Sequence, residues 1–454
     1  MLPAKVHHWP LVTTVEPPIL CSSSHNWAAF LLTGIALGAL CFAVYSPFLS
    51  LPFISDDYLQ IHLARKYGDP SGWGSLAQDP LYRCRATSLV VTWLVDRFFG
   101  LWAAPHNYAS LFFHFLNCCL VAALGVWKRI GWRISVPAAV FFAMHEGHQE
   151  AVVWMAALHD SLVFFFGVLA FLCWVLWLQR TGRRRHLLLA AAAFFYILAL
   201  LSKESAVAFP PLFAMAWWLD HRSNRHAVIP LVVAAVLALL YALAIFTTPA
   251  DHQHLRDGTF SWRAPFWITI PHSLLRMLWI WGFLSLAVLW RYRREARWPV
   301  AGISIAWAVF TFAPYSFLTF MTRVPSRHTY LASLGLALIA GAAYVALRES
   351  AGRRRPWVAA AILILALVHN AGFLWIHKLP QYQRRAAPTE RLIEFARKTG
   401  APIRVECFPY PENLVPVALS IALDRPAGPE AVKLRYSEAP AAPGEIPYCD
   451  DSTI

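Results

Sequence analysis

Two adjacent carboxylates, Asp56 and Asp57, are the first side chains along the sequence that could do chemistry. They follow directly on the first apolar segment. A carboxylate in such a place can take the proton from a hydroxyl group while that hydroxyl attacks a carbon atom. Two neighbouring carboxylates also allow one to ionise while the other binds a metal or a hydrogen-bonding partner. A structural explanation competes, because an acidic pair here can also cap the following helix.

A second polar cluster runs from His145 to Glu150 and is followed by Asp160. His145 and His148 are three residues apart and would share one face of a regular helix, whereas Glu150 would lie on another. Gly147 is therefore expected to break the helix. The spacing differs from the HExxH pattern of zinc proteases, whose histidines are four residues apart. A polar helix end wetted by lipid headgroups is the competing explanation.

Two basic groups further along the chain could bind a phosphate. Lys203 would act as a point charge that is oriented by its neighbour Glu204. Arg323 and Arg327 precede Tyr330, and arginine suits bidentate contacts with phosphate. A local ion pair between Lys203 and Glu204, or an interfacial anchor at Arg327, would explain the same residues without a function.

The elements that must position these groups are hydrophobic helices. Of the 454 residues, 58% are hydrophobic and 14% are charged, and the mean hydropathy is +0.48; a soluble domain averages about a quarter charged residues. The net charge of +14 comes from short arginine clusters between apolar segments, so no nucleic-acid partner is expected. Since about 20 apolar residues cross a bilayer as a helix, the sequence predicts an all-α polytopic membrane protein with about eleven transmembrane helices. The predicted spans are residues 27–49, 106–127, 134–157, 160–179, 187–202, 205–219, 227–247, 266–290, 298–320, 330–347 and 356–376.

Arginine-rich loops set the predicted orientation. They follow the second, fourth, sixth, eighth and tenth spans, and the positive-inside rule assigns them to the cytoplasm. All of the candidate residues above then lie at the opposite, extracytoplasmic ends of the helices. This arrangement is reasonable because an ionisable side chain within the bilayer costs about 2.5–3.5 kcal/mol. The prediction is a multi-pass protein of a bacterial inner membrane or plasma membrane, with its active site on the extracytoplasmic face.

The predicted organisation has three parts: a cytoplasmic N-terminal segment (1–26), a transmembrane domain (27–376) and a small extracytoplasmic C-terminal extension (377–454). In the first outer loop, residues 88–99 are apolar but too few to cross the bilayer, and they predict an interfacial helix. In the extension, residues 389–398 suggest an amphipathic helix and residues 403–408 a strand, which predicts a small α/β unit.

Eight cysteines are scattered along the sequence, and none has the spacing of a metal site. Cys407 and Cys449 lie in the polar C-terminal tail. They could form a disulfide in an oxidising compartment.

The order of these clusters resembles the GT-C superfamily of polyprenyl-phosphate-dependent glycosyltransferases. It is most similar to the branch of protein O-mannosyltransferases and transmembrane tetratricopeptide mannosyltransferases. The resemblance covers roughly residues 30–340, and no tetratricopeptide array follows. The matching residues, in chain order, are Asp56-Asp57, Tyr82-Arg83-Cys84, Asp96 before Phe99-Gly100, His114 with Asn117, His145 to Trp154, Asp160, Leu201-Ser202-Lys203-Glu204, and Arg327 to Gly335. The chain departs from the family pattern at Cys84 and Glu146, where a proline is usual, at His159, and at His328, where a tyrosine is usual.

The resemblance implies a GT-C fold and a hexosyltransferase or mannosyltransferase-like activity that inverts the sugar. The donor would be a polyprenyl-phosphate-linked sugar, and the acceptor a protein hydroxyl, as in protein glycosylation, or a glycolipid or polysaccharide. Asp56 or Asp57 would act as the base. Residues that would bind the donor phosphate or substrate are Arg83, His145, His148, Glu150, Asp160, Lys203, Glu204, Arg327 and Tyr330. Whether a divalent cation (Mg²⁺ or Mn²⁺) takes part stays open; its ligands would be Asp57, His148 and Glu150.

Three other readings stay open at this point. A transporter or flippase of lipids or glycans, without transferase activity, would carry ionisable groups near mid-membrane in broken helices. An intramembrane protease is weakened by the missing HExxH pattern. A catalytically inactive relative could serve as a scaffold.

Overall fold

The structure, a computed structural model, describes residues 24–222, 225–248, 255, 258–293, 297–319, 325–350, 356–399, 403–410, 414–423 and 446–450. The predicted N-terminal segment 1–26 lies almost wholly outside these ranges. Arg323 and the basic residues 294 and 353–355 of the predicted cytoplasmic loops also lie outside them.

Each predicted span contains a helix, but the helices differ in length. Seven of them, within the described residues, are long and apolar enough to cross a membrane. The other four predicted spans contain the helices Trp132–Met144, Arg185–Leu200, Phe209–His221 and Ser333–Ser350, which are not among these seven, so the expected count of eleven is not confirmed. In chain order the helices are α1 (Ser24–Tyr45), α2 (Ser55–Tyr67), α3 (Trp73–Gln78), α4 (Ala86–Phe99), α5 (Ala103–Ala123), α6 (Trp132–Met144), α7 (Gln149–Val153), α8 (Leu158–Gln179), α9 (Arg185–Leu200), α10 (Phe209–His221), α11 (Val228–Phe246), α12 (Phe266–Arg291), α13 (Trp298–Phe312), α14 (Ser333–Ser350), α15 (Pro356–Phe373), α16 (Leu379–Thr399) and α17 (Leu414–Ala422).

The predicted third span, 134–157, is the clearest correction. Its helix ends at Met144, and a 3₁₀ turn (Glu146–His148), the short α7 and a second 3₁₀ turn (Met155–Ala157) follow before α8 begins. The helix is broken near Gly147, but it already ends at Met144; at Gly147 a Cβ atom would lie 2.8 Å from the His145 ring, so the turn leaves little room for a side chain there. The polar cluster therefore occupies a folded break between two helices.

Ion pairs join loops that were predicted to lie on the same side of the membrane. At one end, Arg129 contacts Asp220 at 2.5 Å, and Arg133 and Arg297 lie 3.8 Å and 3.5 Å from Glu349. All of these residues belong to loops or helix ends that were predicted to face the cytoplasm. The candidate site residues contact one another at the opposite end, as detailed below. Which end faces the cytoplasm remains a prediction.

The helices pack closely against one another inside the bundle, and many apolar side chains are exposed on its outer surface. Gly167 of α8 allows Phe209 of α10 to approach, since a Cβ there would lie 2.0 Å from the Phe209 ring. By contrast, the apolar helix α11 is almost entirely unburied, and Ile229 is 71% exposed. Such an apolar exposed surface is stable only against lipid, so the structure supports an integral multi-pass membrane protein.

Two smaller parts lie beside the site. The first loop folds into α2, α3 and α4, and α4 coincides with the predicted interfacial helix. After α15, one π-helical turn (Leu374–Lys378) leads without interruption into α16. The predicted separate helix at 389–398 is therefore the end of one long helix, which continues through Pro388.

In the C-terminal extension, the strand β1 (Ile403–Cys407) lies where a strand was predicted, and it pairs in parallel with a second strand, β2 (Ile446–Cys449), that was not predicted. A disulfide joins Cys407 and Cys449. The extension and the first loop share one small hydrophobic core. Its members include Tyr58 and Ile61 of α2 and Leu392, Val405 and Leu419 of the extension. The extension is thus packed directly on the helix that carries Asp56 and Asp57.

Candidate active site

A cavity of about 680 Å³ lies among the helix breaks at one end of the bundle. Its wall contains charged side chains and a larger number of apolar ones. The charged and histidine residues are Asp56, Arg85, His159, Lys203, Glu204, Arg327 and His328. The apolar residues include Val207, Pro211, Ile245, Phe246, Phe317 and Leu318. A cavity of this kind suits a ligand with a charged head and a hydrocarbon chain.

Several charged residues of the wall lie on or directly beside short 3₁₀ turns. Arg83–Arg85, Glu204–Ala208, Ala313–Phe317 and Ser326–Thr329 each form such a turn between longer helices. Polar side chains at these breaks can reach the cavity while the flanking helices remain apolar. The sequence places chemistry and helix breaks at the same positions.

Lys203 forms a buried ion pair with Asp160, whose carboxylate also lies 3.2 Å from His159 Nε2. Lys203 is 4% exposed and Asp160 is 2% exposed. Burial lowers the pKa of Lys203 to about 8, and the Asp160 carboxylate opposes this shift. Lys203 Nζ also lies 5.2 Å from the ring centroid of Tyr315. The lysine is thus held in one orientation with its ammonium group at the cavity.

Arg85 contributes a second cation to the wall, although it was not among the residues predicted to bind the donor. Its Nη2 donates to Glu204 Oε1 at 3.1 Å, so the predicted partner of Lys203 in fact pairs with Arg85. Its Nη1 is buried and, among the described residues, has no hydrogen-bond partner. An arginine that is fixed at one nitrogen and unsatisfied at the other is suited to an anion in the cavity.

Arg327 lies where the sequence predicted it, at the cavity wall. Its backbone N–H donates to Glu150 Oε2 at 3.1 Å, and its Nη1 lies 3.9 Å from the same oxygen. Its guanidinium lies 4.7 Å from the ring centroid of Trp154. The neighbouring His328 stacks on Tyr315 with a centroid distance of 4.6 Å. These contacts link the 145–160 segment to the start of α14.

The two aspartates of the first loop have different surroundings. Asp56 lines the cavity. Asp57 is 4% exposed; its two carboxylate oxygens accept hydrogen bonds from the backbone N–H groups of Ile54 (2.9 Å) and Ala156 (2.8 Å). Burial raises the pKa of Asp57 to about 7, although these hydrogen bonds oppose the shift. Asp57 therefore joins α2 to the opposite cavity wall, and Asp56 is the carboxylate that reaches the cavity.

Several predicted site residues lie in the packed interior next to the cavity. His148 Nε2 is 2.7 Å from Ser333 Oγ. Tyr330 Oη contacts His114 Nδ1 at 2.8 Å and Asn117 Nδ2 at 3.1 Å, as expected for hydrogen bonds between helices. His145 packs its ring against His148 with a centroid distance of 5.0 Å. None of these side chains is among those that line the cavity.

Arg83 and Glu146 also serve as structural contacts. Arg83 Nη2 donates to the carbonyl oxygen of Ala244 at 2.8 Å. Glu146 is 1% exposed and forms a bidentate ion pair with Arg276, at 2.5 and 2.8 Å. Sequence reasoning missed Arg276 because it is a single arginine within an otherwise apolar helix. Its position inside a predicted span was the available signal, since a charge there needs a partner.

The predicted cation ligands are not gathered into one cluster. Asp57 is occupied by two backbone N–H groups and His148 by Ser333, while Glu150 faces Arg327. Among the described residues, a different group has three potential ligand atoms within 4.8 Å of one another: Cys41, His114 and Cys118. Its histidine already contacts Tyr330 and the carbonyl oxygen of Ala143.

Comparisons with known proteins give a limited result. No protein-family model matches the sequence, and no curated protein is significantly similar to it. Among solved structures, the chain is similar to ArnT from Cupriavidus metallidurans bound to undecaprenyl phosphate, with 14% identity, a TM-score of 0.47, and coverage of 87% of this chain and 85% of that chain. It is also similar to the apo state of the same protein, with 15% identity, a TM-score of 0.49, and coverage of 88% and 85%. At these values the likeness does not assign a function, which must be argued from this chain's own side chains.

Proposed function

We propose that this protein transfers a sugar from a polyprenyl-phosphate carrier to an acceptor hydroxyl in the 680 Å³ cavity. The observation that carries the proposal is the composition of the cavity wall. It combines the cations Lys203, Arg85 and Arg327, which suit a phosphate, with the Asp56 carboxylate and with apolar side chains that suit a polyprenyl chain. The motif series that resembles GT-C glycosyltransferases supports the same reading.

The carrier would be held by its two chemically different parts. Its hydrocarbon chain would lie against apolar residues of the wall such as Ile245, Phe246 and Phe317. Its phosphate would be bound by Lys203 and by the unsatisfied Nη1 of Arg85. Both cations are oriented beforehand by carboxylates, so binding does not require them to reorganise. The sugar on the phosphate would then point toward Asp56.

The reaction would be a single displacement with inversion at the anomeric carbon. Asp56 takes the proton of the acceptor hydroxyl as its oxygen bonds to the anomeric carbon, and the bond from that carbon to the phosphate oxygen breaks. The leaving polyprenyl phosphate gains negative charge, which Lys203, Arg85 and Arg327 stabilise. Base, carbon and phosphate must be aligned for this step. Asp57 would hold α2 in place through Ala156.

The competing reading as a transporter has less support. It requires ionisable groups near the middle of the bundle in broken helices. In the described residues, the cavity cations and Asp56 lie at the helix breaks of one end. A scaffold without activity would not need Arg85 Nη1 to stay unsatisfied beside a cavity.

The test uses purified protein and radiolabelled polyprenyl-phosphate sugars. Asp56→Asn should lower transfer by about 10²–10⁴-fold and leave carrier binding intact, whereas Arg85→Gln should weaken carrier binding. Arg65→Gln is a matched control, because Arg65 pairs with Asp96 at 2.8 Å on the exposed side of the same loop. If the wild-type protein consumes no carrier-linked sugar, or Asp56→Asn transfers at the wild-type rate, the proposal fails.

A further inference from the structure

We propose that Arg385 forms a second anion-binding subsite, next to the donor-side cation Arg327, and that this subsite recognises an anionic group on the acceptor. This inference rests on the proposed function and adds the chemical class of the acceptor, a molecule that carries a phosphate or carboxylate close to its reacting hydroxyl. It also gives the C-terminal extension a role, because Arg385 belongs to α16.

Arg385 is a half-buried arginine that lies against aromatic rings. Its guanidinium lies 4.8 Å from the ring centroid of Trp154 and 5.6 Å from that of Tyr382, and its side chain is hydrogen-bonded to the Tyr410 hydroxyl. Within the part of the chain that the structure describes, these neighbours are neutral, and the guanidinium forms no ion pair with a carboxylate. A bound anion would supply the missing counter-charge.

The surroundings hold Arg385 in place. The hydroxyl of Tyr382 is bonded to Gln149 Oε1, and the hydroxyl of Tyr410 is bonded to the backbone carbonyl of Arg385. Tyr382 is buried, at 2% exposed. The Trp154 and Tyr382 rings therefore hold the Arg385 guanidinium in one plane. A planar guanidinium that is held in place before the ligand arrives is suited to bidentate contact with phosphate or carboxylate.

The position of Arg385 places the subsite on the side of the base. Trp154, which it contacts, lines the cavity, and Arg327 contacts the same indole ring at 4.7 Å. Its charge also acts on Asp57, the neighbour of Asp56, and lowers the pKa of that carboxyl against the effect of burial. The phosphate cations Lys203 and Arg85 belong to other elements of the wall. Arg385 and Arg327 thus lie against one indole ring of a cavity whose wall also includes Asp56, and we place the acceptor's anionic group beside this ring.

The test measures lipid binding to detergent-solubilised full-length protein by native mass spectrometry. The protein is first saturated with undecaprenyl phosphate, which occupies the donor position. Dioleoyl phosphatidate, which has a phosphate headgroup, and neutral dioleoylglycerol are then titrated. We expect one equivalent of phosphatidate to bind in addition to undecaprenyl phosphate. Dioleoylglycerol, which lacks the phosphate, should not bind as a second equivalent. Arg385→Gln should weaken this binding about tenfold to hundredfold, which corresponds to the loss of a charge-assisted hydrogen-bonded contact.

Matched variants separate the two proposals. Arg384→Gln is the control, because Arg384 is exposed on the same helix and contacts only the carbonyl oxygen of Pro380 at 3.4 Å. Arg385→Lys keeps the charge without the planar fork and should bind phosphatidate with intermediate affinity. Equal phosphatidate affinity in Arg385→Gln and wild type would overturn the inference, and so would a loss of undecaprenyl phosphate binding in that variant. If undecaprenyl phosphate instead binds equally to wild type and Lys203→Gln, the proposed function itself fails.

Discussion

The buried ion pair between Lys203 and Asp160 allows stability and ligand binding to be separated. Lys203→Gln would leave the Asp160 carboxylate, which is 2% exposed, with His159 at 3.2 Å as its remaining contact among the described side chains. Breaking a buried pair by removing one partner costs about 3–5 kcal/mol. We therefore expect the free energy of unfolding of Lys203→Gln to fall by about that amount.

The reverse variant should be milder. Burial lowers the pKa of Lys203 to about 8 even with the Asp160 carboxylate beside it. In Asp160→Asn the lysine would lose that support and could release its proton near neutral pH, which avoids a buried unpaired charge. The double variant Asp160→Asn/Lys203→Gln removes both charges, so it should be more stable than the sum of the single changes predicts.

The assay is reversible unfolding in mixed micelles titrated with sodium dodecyl sulfate, followed by circular dichroism at neutral pH. Carrier binding is measured in parallel. The double variant should recover stability but still bind undecaprenyl phosphate weakly, since the lysine is missing. Additive losses of stability would contradict the buried pair, and recovery of carrier binding in the double variant would contradict a phosphate role for Lys203.

Two further predictions concern other parts of the chain. The pKa of Asp57 is raised from 3.8 to about 7 in the folded protein. Its contribution to stability is therefore complete below about pH 4 and is lost as pH rises toward 7, by at most about 4 kcal/mol. The unfolding free energy of the wild type should fall between pH 5 and 7 and that of Asp57→Asn should not; parallel pH profiles of the two proteins would refute this prediction. The Cys407–Cys449 disulfide closes a loop with a sequence separation of 42. Its reduction should destabilise the extension by about 4 kcal/mol, because the unfolded chain gains loop entropy. Proteolysis of the extension should therefore become faster on reduction, and an unchanged rate of proteolysis would contradict this prediction.

The polar clusters could be found from sequence because ionisable residues are conspicuous in an apolar chain. Lys203, Asp160 and Arg327 meet at one end of the bundle as the alternation of loops predicted. The strand at 403–408 was also identified, since short runs of alternating residues in a polar tail contrast with the spans. These successes depend on local composition.

The pairing of charges could not be read from the sequence. Glu204 was expected beside Lys203, yet Lys203 pairs with Asp160 and Glu204 with Arg85. Neighbours in a chain that turns sharply point in different directions, so adjacency does not predict an ion pair. The same reason separates the environments of Asp56 and Asp57. Helices that end at a break, such as α6, were likewise predicted too long. Hydropathy is averaged over a window of residues, so the few polar residues that end a helix do not show in it.

The helix that runs unbroken from the last span into the extension has a geometrical consequence. It extends from α15 through the π-helical turn to α16. The side of the helix on which Arg385 lies is therefore fixed by the number of residues between it and the last membrane span. Each residue of an α-helix advances the chain by about 100°. Inserting or deleting a single residue in this stretch would swing Arg385 to another side of the helix while every other residue stayed the same. The spacing between anchor and guanidinium is therefore constrained to whole helical turns.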